Sequence, residues 1–350
     1  MDRIPIYADK ENLVEIFSID PDSLHYQGMK QFITKESKLI INDTEENLTE
    51  LGYLEHIAKS LTSGDAQYEY IDALHAAFLQ PTFKTNLQDR FTNKGSVLFS
   101  VDTARVAMAK ASNGILMSGV AEEYLVYDQL NFNKNFFRAS KILTIGKEFV
   151  DYTSLQNHIL PFSEIIINEP YLFVPERRDF NLQRYLDNNF IALANVLFAN
   201  TANKVNIVFC TFINEQNQHE SHWYDLATKS FKPLYDYIKA YLNNKLGGAR
   251  YKLWLVVSPQ AYNARHDRYI LTNYQYLECG AGLTYFDDRG NFINRGEAMH
   301  MYTTMHDEAR QSLIPSILDK IQTKVIDNLK ASKPERIFGA DQGNSYLLKF

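Results

Sequence analysis

Three short apolar runs in the second half of the chain constrain its fold more than any other feature. They are EIIIN at 164–168, VNIVFCTF at 205–212 and LWLVV at 253–257. Continuous apolar runs of this length are typical of strands that are buried on both faces. The intervening segments 180–200 and 223–246 have apolar residues at helical spacing, and Gly247-Gly248 ends the second segment. The order β-α-β-α-β predicts a layered sheet with helices on both faces.

The rest of the chain mixes strand and helix signals. In the first half we predict strands at 38–42, 96–101 and 114–117, and helices at 48–61, 68–79 and 102–110. In the second half we predict helices at 154–160 and 312–329, and a β-rich stretch at 266–273, 276–278 and 283–286. The fold class is therefore α/β, with a mixed α/β domain over 1–150 and a second α/β domain over 151–350. A degenerate repeat of the second domain is the alternative for the first.

Composition indicates a packed globular protein and excludes several classes. Hydrophobic residues make up 45% of the 350 residues and charged residues 22%, which is too apolar for a disordered chain. The formal net charge of −6 argues against a protein that coats nucleic acid, so any such contact is expected to be local. The chain has two cysteines, no apolar leader and no apolar stretch near the ~20 residues of a membrane span. We expect a cytoplasmic protein without a transmembrane segment.

The segment 265–286, RHDRYILTNYQYLECGAGLTYF, combines residues that suit phosphate chemistry. His266 and Arg268 are two positions apart and would share one face of a strand. An imidazole can attack phosphorus or transfer a proton, and a guanidinium can hold phosphate oxygens through paired donors. Asn273 lies seven positions after His266. The turn Gly280-Ala281-Gly282 begins seven positions later and would let the backbone approach an anion.

This spacing resembles the motif of the phospholipase D superfamily, in which His-x-Lys is followed after four residues by Asp. Here Arg268 occupies the Lys position and Asn273 the Asp position. The resemblance implies that His266 is the nucleophile of a covalent intermediate and that Arg268 holds the phosphate. Asn273 can hydrogen-bond but cannot take up charge. Because the family mechanism needs no metal, we expect no metal and no other cofactor.

A narrower resemblance is to the C-terminal phospholipase D-like domain of MIT-domain-containing proteins. That domain has His-Asp-Arg, then Asn, then Gly-x-Gly-Leu-x-Tyr-Phe, matched here at 266–268, 273 and 280–286. Its acidic-Pro-Tyr run, which follows a strand and precedes an aromatic-rich helix, is matched by Glu169-Pro170-Tyr171. The match covers about residues 150–305 and implies a layered α/β/α domain. It also implies that Glu169 and Tyr171 face the motif residues, and that Gly280 and Gly282 contact substrate.

Two functions remain open from the sequence. The first is a nuclease-like phosphodiesterase that acts on nucleic acid, which the family's genomic range places in a bacterial defence system. The second is a non-catalytic module that binds phosphate groups, an anionic membrane surface or a partner protein. Asn273 in place of Asp favours the second. Because the superfamily pairs two motif copies and this chain has one, we also expect a homodimer.

Overall fold

The computed structural model describes residues 4–8, 20, 22, 37–41, 67–70, 97–100, 116–119, 140–160, 162–173, 181–199, 205–248, 250–259, 262, 268–280, 282–293, 298–303 and 312–350. The chain divides into two compact units. The first is Met1–Ala139 with Met305–Asp307, and the second is Ser140–Thr304 with Glu308–Phe350. The division falls eleven residues before the boundary that we placed after residue 150, because the segment after Ala139 pairs with a strand near residue 300.

The first unit contains a five-stranded parallel sheet in the order β3-β2-β1-β4-β5. Its strands are β1 (Ile4–Ala8), β2 (Ser37–Ile41), β3 (Gln67–Tyr70), β4 (Val97–Ser100) and β5 (Leu116–Gly119). The strands predicted at 38–42 and 96–101 are confirmed, and the one at 114–117 begins two residues later than predicted. The helix predicted from residue 68 is wrong at its start, because Tyr68 and Tyr70 belong to β3, which pairs with β2. The helices predicted at 48–61 and 102–110 lie outside the described residues.

The order of this sheet reverses between β1 and β4, which are neighbours although they are distant in sequence. Open parallel sheets form a crevice at the carboxyl ends of their strands at such a reversal. In the sequence, Asp9 directly follows β1, Asp43 follows β2 by two residues and Asp102 follows β4 by two residues. These three residues lie outside the described part of the chain.

The second unit contains an eight-stranded sheet in the order β13-β9-β8-β7-β10-β11-β12-β6. Its strands are β6 (Ser140–Thr144), β7 (Glu164–Asn168), β8 (Val205–Ile213), β9 (Tyr251–Pro259), β10 (Tyr269–Thr272), β11 (Gln275–Cys279), β12 (Ala298–Thr303) and β13 (Ile337–Phe338). Strands β7, β8 and β9 are parallel, and every other pairing in the sheet is antiparallel. The α/β class and the β-α-β-α-β order are confirmed.

Helices cover both faces of this sheet, as predicted. The α-helices are α1 (Leu182–Leu186), α2 (Ala192–Leu197), α3 (Lys232–Leu246), α4 (Ile314–Asp319) and α5 (Asn328–Ser332). The π-helical segments Asp187–Ile191 and Lys320–Asp327 join α1 to α2 and α4 to α5. The 3₁₀ helices are Tyr152–Leu155, Glu215–Glu220, Pro334–Arg336 and Ala340–Gln342. Helices α1, α2 and α3 pack on one face of the sheet. The C-terminal helix, formed by α4, the second π-helical segment and α5, packs on the other face.

Two local predictions for this unit need correction. The segment 283–286 is not a strand; it is a loop that makes one isolated bridge, between Phe286 and Phe292. The segment 154–160 is not an α-helix, because a short 3₁₀ helix ends at Leu155. The alternative of a degenerate repeat gains no support from the described strands, since one sheet is wholly parallel and the other is mixed. In the described part of the chain, no helix has the length and apolar character needed to cross a membrane.

A buried carboxylate ties the C-terminal segment to the start of β7. Glu164 is fully buried and accepts hydrogen bonds from the Asn206 Nδ2 atom at 3.0 Å and from the backbone N–H groups of Tyr346 (3.0 Å) and Leu347 (3.4 Å). Desolvation outweighs these bonds and raises the pKa of Glu164 to about 6. The folded protein therefore binds a proton at Glu164 more tightly than the unfolded chain does.

The raised pKa predicts how stability depends on pH. A folded-state pKa above the unfolded value gives a contribution that is complete below pH 4.5 and is lost as pH rises through about 6. A shift of this size corresponds to about 2 kcal/mol of unfolding free energy. We expect Glu164→Gln to remove that part of the pH dependence, measured by urea unfolding between about pH 4.5 and pH 7.

The control is Glu335→Gln, which makes the same chemical change at an exposed carboxylate. Its profile should run parallel to that of the unmodified chain. The comparison uses the slope of unfolding free energy against pH. A constant change in unfolding free energy caused by the new amide therefore does not affect it. A Glu164→Gln profile that also runs parallel would contradict the prediction.

Candidate functional site

The candidate site lies where β7 ends and β10 begins. Strand β10 runs antiparallel to β7, with Tyr269 opposite Asn168. This register brings Arg268, which precedes β10, to the same edge of the sheet as Glu169, which follows β7. The edge is also the carboxyl edge of the three parallel strands. Sites in α/β sheets are commonly built at this edge.

A cation–π contact defines the centre of the site. The Cζ atom of Arg268 lies 4.9 Å from the centroid of the Tyr171 ring. Both side chains are half-buried, so the contact is partly shielded from water without being closed off. A guanidinium held over an aromatic face is restricted in orientation while its edge donors remain directional.

A buried carboxylate lies beside this pair. Glu169 is 1% exposed, and it accepts hydrogen bonds from the Tyr171 N–H at 3.0 Å and from the Leu283 N–H. Two backbone donors satisfy part of the hydrogen-bonding capacity of the charged form. Glu169 therefore joins the segment after β7 to the loop that begins at Gly282.

The backbone of Gly282 completes the wall of the site. Its φ is +96°, a conformation that residues with a side chain rarely adopt. A Cβ at this position would lie 2.8 Å from Arg268 Nη1, 2.8 Å from Glu169 Oε2 and 2.9 Å from Arg268 Cδ. Glycine is required here both by the backbone conformation and by the close approach of the two charged side chains.

The structure separates Asn273 from these residues, contrary to the arrangement expected from the sequence. Asn273 follows β10, so it lies at the amino edge of β7, five residues and roughly 16 Å along the strand from Arg268. Its Oδ1 atom accepts hydrogen bonds from the N–H groups of Ser163 at 3.1 Å and Glu164 at 3.4 Å. Asn273 is 4% exposed and fixes the start of β7. We therefore leave it out of the candidate site.

Other candidates are distributed as follows. His266 lies outside the described residues, and Gly280 is exposed in the turn after β11. The buried thiol of Cys210 has its pKa raised by desolvation to about 12, so it is not a nucleophile near neutral pH. Within the described residues, no three His, Cys, Asp or Glu side chains are grouped as a metal site would require.

Sequence reasoning missed the buried helix residues that hydrogen-bond to the two loops of the site. Tyr185 and Asn189 lie on the helix formed by α1, the π-helical segment and α2, and both are buried. Each donates a hydrogen bond to a loop carbonyl, of Tyr171 and Phe286 respectively. The available signal was Asn189 itself, a polar residue within the apolar face that includes Leu186 and Leu193. A buried polar side chain on a helix normally has a specific partner.

Comparison of the chain with models of known protein families and with curated proteins finds no match. The site is therefore interpreted from its own geometry.

The crowding at Gly282 predicts a specific loss of stability in Gly282→Ala. The new Cβ strains the backbone and displaces Glu169 Oε2, which breaks the bond from the Leu283 N–H. The matched control is Gly247→Ala, because Gly247 has a φ of +80° with nothing within 4 Å of a Cβ. Unfolding free energies should fall in both variants, and by about 1–2 kcal/mol more in Gly282→Ala. Equal losses would show that the contacts with Arg268 and Glu169 are unimportant for folding.

Proposed function

We propose that the second unit is a phospholipase D-like domain that binds phosphate groups of nucleic acid through Arg268, without cleaving them. The observation that carries the proposal is the half-buried Arg268 guanidinium held over the Tyr171 ring at the carboxyl edge of three parallel strands. A guanidinium in a fixed orientation suits two-point recognition of phosphate oxygens. The parallel β7–β8–β9 core with helices on both faces is compatible with a layered α/β/α domain of this family.

The neighbouring Glu169 does not by itself assign Arg268 to a structural ion pair. Its carboxylate accepts backbone hydrogen bonds from Tyr171 and Leu283, which satisfy part of its hydrogen-bonding capacity. The Glu169 carboxylate also lowers the affinity of the site for a free anion, because like charges repel at short range. This favours a ligand that makes further contacts outside the site, as a nucleic-acid strand does, over inorganic phosphate alone.

Binding is supported better than hydrolysis. Asn273 lies at the other edge of the sheet from Arg268, bonded to Ser163 and Glu164, so it is not placed to take part in a reaction at Arg268. An amide is also unable to take up charge during a reaction. A nuclease-like activity in a defence system remains the alternative, and it depends on His266.

Nucleic acid is favoured over a membrane surface by the distribution of charge. Recognition of anionic lipid surfaces usually depends on clusters of about four to eight Lys or Arg residues. The sequence has no such run, and its net charge is −6. A single oriented arginine beside an aromatic ring is better suited to local contact with a nucleic-acid strand than to attraction by an anionic membrane surface.

Titration of a labelled single-stranded oligonucleotide and its duplex, followed by fluorescence anisotropy, tests the proposal. Arg268→Ala should weaken binding about fivefold to tenfold and lower the slope of log affinity against log salt by about one. Arg268→Lys should be intermediate, because Lys keeps the charge but loses the paired donors. The control is Arg250→Ala, since Arg250 is exposed at the amino edge of β9 and should leave binding unchanged.

Equal affinity in Arg268→Ala and the unmodified chain would overturn the binding role of Arg268. Binding to vesicles with anionic lipid, in the absence of oligonucleotide binding, would replace nucleic acid by a membrane surface.

The same oligonucleotides, incubated in EDTA and in Mg²⁺, decide between binding and cleavage. We expect the strands to remain intact in EDTA. Cleavage that persists in EDTA and is lost in His266→Ala would replace our proposal by the phosphodiesterase alternative, because a covalent histidine route uses no cation. Cleavage that needs Mg²⁺ and survives both His266→Ala and Arg268→Ala would place the chemistry outside this site.

A further inference from the structure

We infer that Tyr185 and Asn189 are positioning residues, which together set the distance between the Tyr171 ring and the Arg268 guanidinium. The inference rests on the proposed function for its biological meaning, but the geometry that carries it is independent of any ligand. Two loops meet at the site, one after β7 with Tyr171 and one from Gly282 to Phe286. One helix holds both loops through hydrogen bonds of its buried side chains Tyr185 and Asn189.

The first hydrogen bond fixes the loop that carries the aromatic ring. The Tyr185 hydroxyl donates to the carbonyl oxygen of Tyr171 at 2.7 Å, and Tyr185 is 2% exposed. The preceding loop carbonyl, of Pro170, accepts a bond from the Thr211 hydroxyl at 3.1 Å. The carbonyls of Pro170 and Tyr171 are therefore both hydrogen-bonded, the first to β8 and the second to the helix. These two bonds restrict the movement of the Tyr171 backbone.

The second set of bonds fixes the loop that lies against Arg268. Asn189 is fully buried, its Nδ2 atom donates to the Phe286 carbonyl at 2.7 Å, and its Oδ1 atom accepts from the Phe286 N–H at 3.1 Å. The Tyr152 hydroxyl donates to Asn189 Oδ1 at 3.2 Å and to the Leu283 carbonyl at 2.5 Å. Leu283 is the residue whose N–H bonds Glu169, so three hydrogen bonds, through Tyr152 and Leu283, connect Asn189 to Glu169.

The helix itself is adapted to this task. Tyr185 and Asn189 are four positions apart and share a face, and Asn189 Nδ2 also donates to the Tyr185 carbonyl at 3.0 Å. Asn189 lies in the π-helical segment Asp187–Ile191. π-helical turns are rare in proteins, and those that occur are often found at functional sites.

The consequence is a second link between the two loops, in addition to the one that Glu169 makes through the Tyr171 and Leu283 N–H groups. A cation–π contact depends on the distance and angle between the cation and the ring. If either loop moves, the guanidinium loses its support and its donors lose their fixed direction. Tyr185 and Asn189 do not touch the ligand in this scheme; they act through Tyr171 and the Gly282–Phe286 loop.

The test measures the site without ligand and then with it. In a ¹⁵N-labelled protein, the Nε–Hε signal of Arg268 is assigned by its loss in Arg268→Lys. We expect the Tyr171 ring current to shift this signal, as checked by its change in Tyr171→Leu. Asn189→Ala and Tyr185→Phe should both move the Arg268 signal toward the position it has in Tyr171→Leu.

The matched control is Asn195→Ala, the same substitution at an exposed position of the same helix, where Asn195 accepts only the Tyr241 hydroxyl among the bonds described. It should leave the signal unchanged. Oligonucleotide affinity should fall on the order of tenfold in Asn189→Ala and less in Tyr185→Phe, with no change in the control.

Folded Asn189→Ala and Tyr185→Phe proteins that keep the Arg268 signal would overturn the inference, because a merely structural role lowers stability without moving that signal. If Asn189→Ala does not fold, Tyr185→Phe and Tyr152→Phe decide, since each removes one hydroxyl and keeps the ring. The two proposals fail separately. A shifted signal with unchanged oligonucleotide binding would reject the proposed function, whereas an unchanged signal with binding that depends on Arg268 would reject only the positioning role.

Discussion

The pairing of β7 is the constraint on which the rest of the second unit depends. This strand pairs in parallel with β8 on one side and antiparallel with β10 on the other. The change of direction brings the start of β10 to the carboxyl edge of β7, where Arg268 meets Glu169. It also sends the turn after β10 to the amino edge, where Asn273 bonds Ser163 and Glu164. Because all five residues of β7 are buried, a shift in register would place polar neighbours in the core.

A buried carboxylate lies at each end of this strand, and each binds a different part of the chain. Glu164 accepts the backbone N–H groups of Tyr346 and Leu347, which anchors the C-terminal segment. Glu169 accepts those of Tyr171 and Leu283, which anchors the two loops of the candidate site. Buried carboxylates are costly unless they are hydrogen-bonded, so both positions depend on ordered loops around them. The same kind of interaction, a buried carboxylate bound to backbone N–H groups, therefore anchors the C-terminal segment at Glu164 and forms part of the candidate site at Glu169.

The sequence predicted the second unit best where strands are continuous apolar runs. Strands β7, β8 and β9 were found because burial on both faces removes polar residues from the strand. Strand β12 was missed because half-buried and buried positions alternate along it, and β6 was missed because it lies at the edge of the sheet. In the site, Arg268, Tyr171 and Glu169 were selected in advance. Asn273 was grouped with them on the basis of motif spacing and of the family resemblance, and neither states which edge of the sheet a residue reaches.

The sequence by itself determined the α/β class, the order of the central strands and the chemical types at the site. Those properties follow from local patterns: apolar runs, helical periodicity and the spacing of the motif residues. Only the tertiary structure decided which residues meet, because that depends on strand direction and on bonds between distant segments. The link from Asn189 to Phe286 spans 97 residues, and the link from Glu169 to Leu283 spans 114. No local pattern encodes such a contact, since its partners become neighbours only when the sheet and its helix have packed.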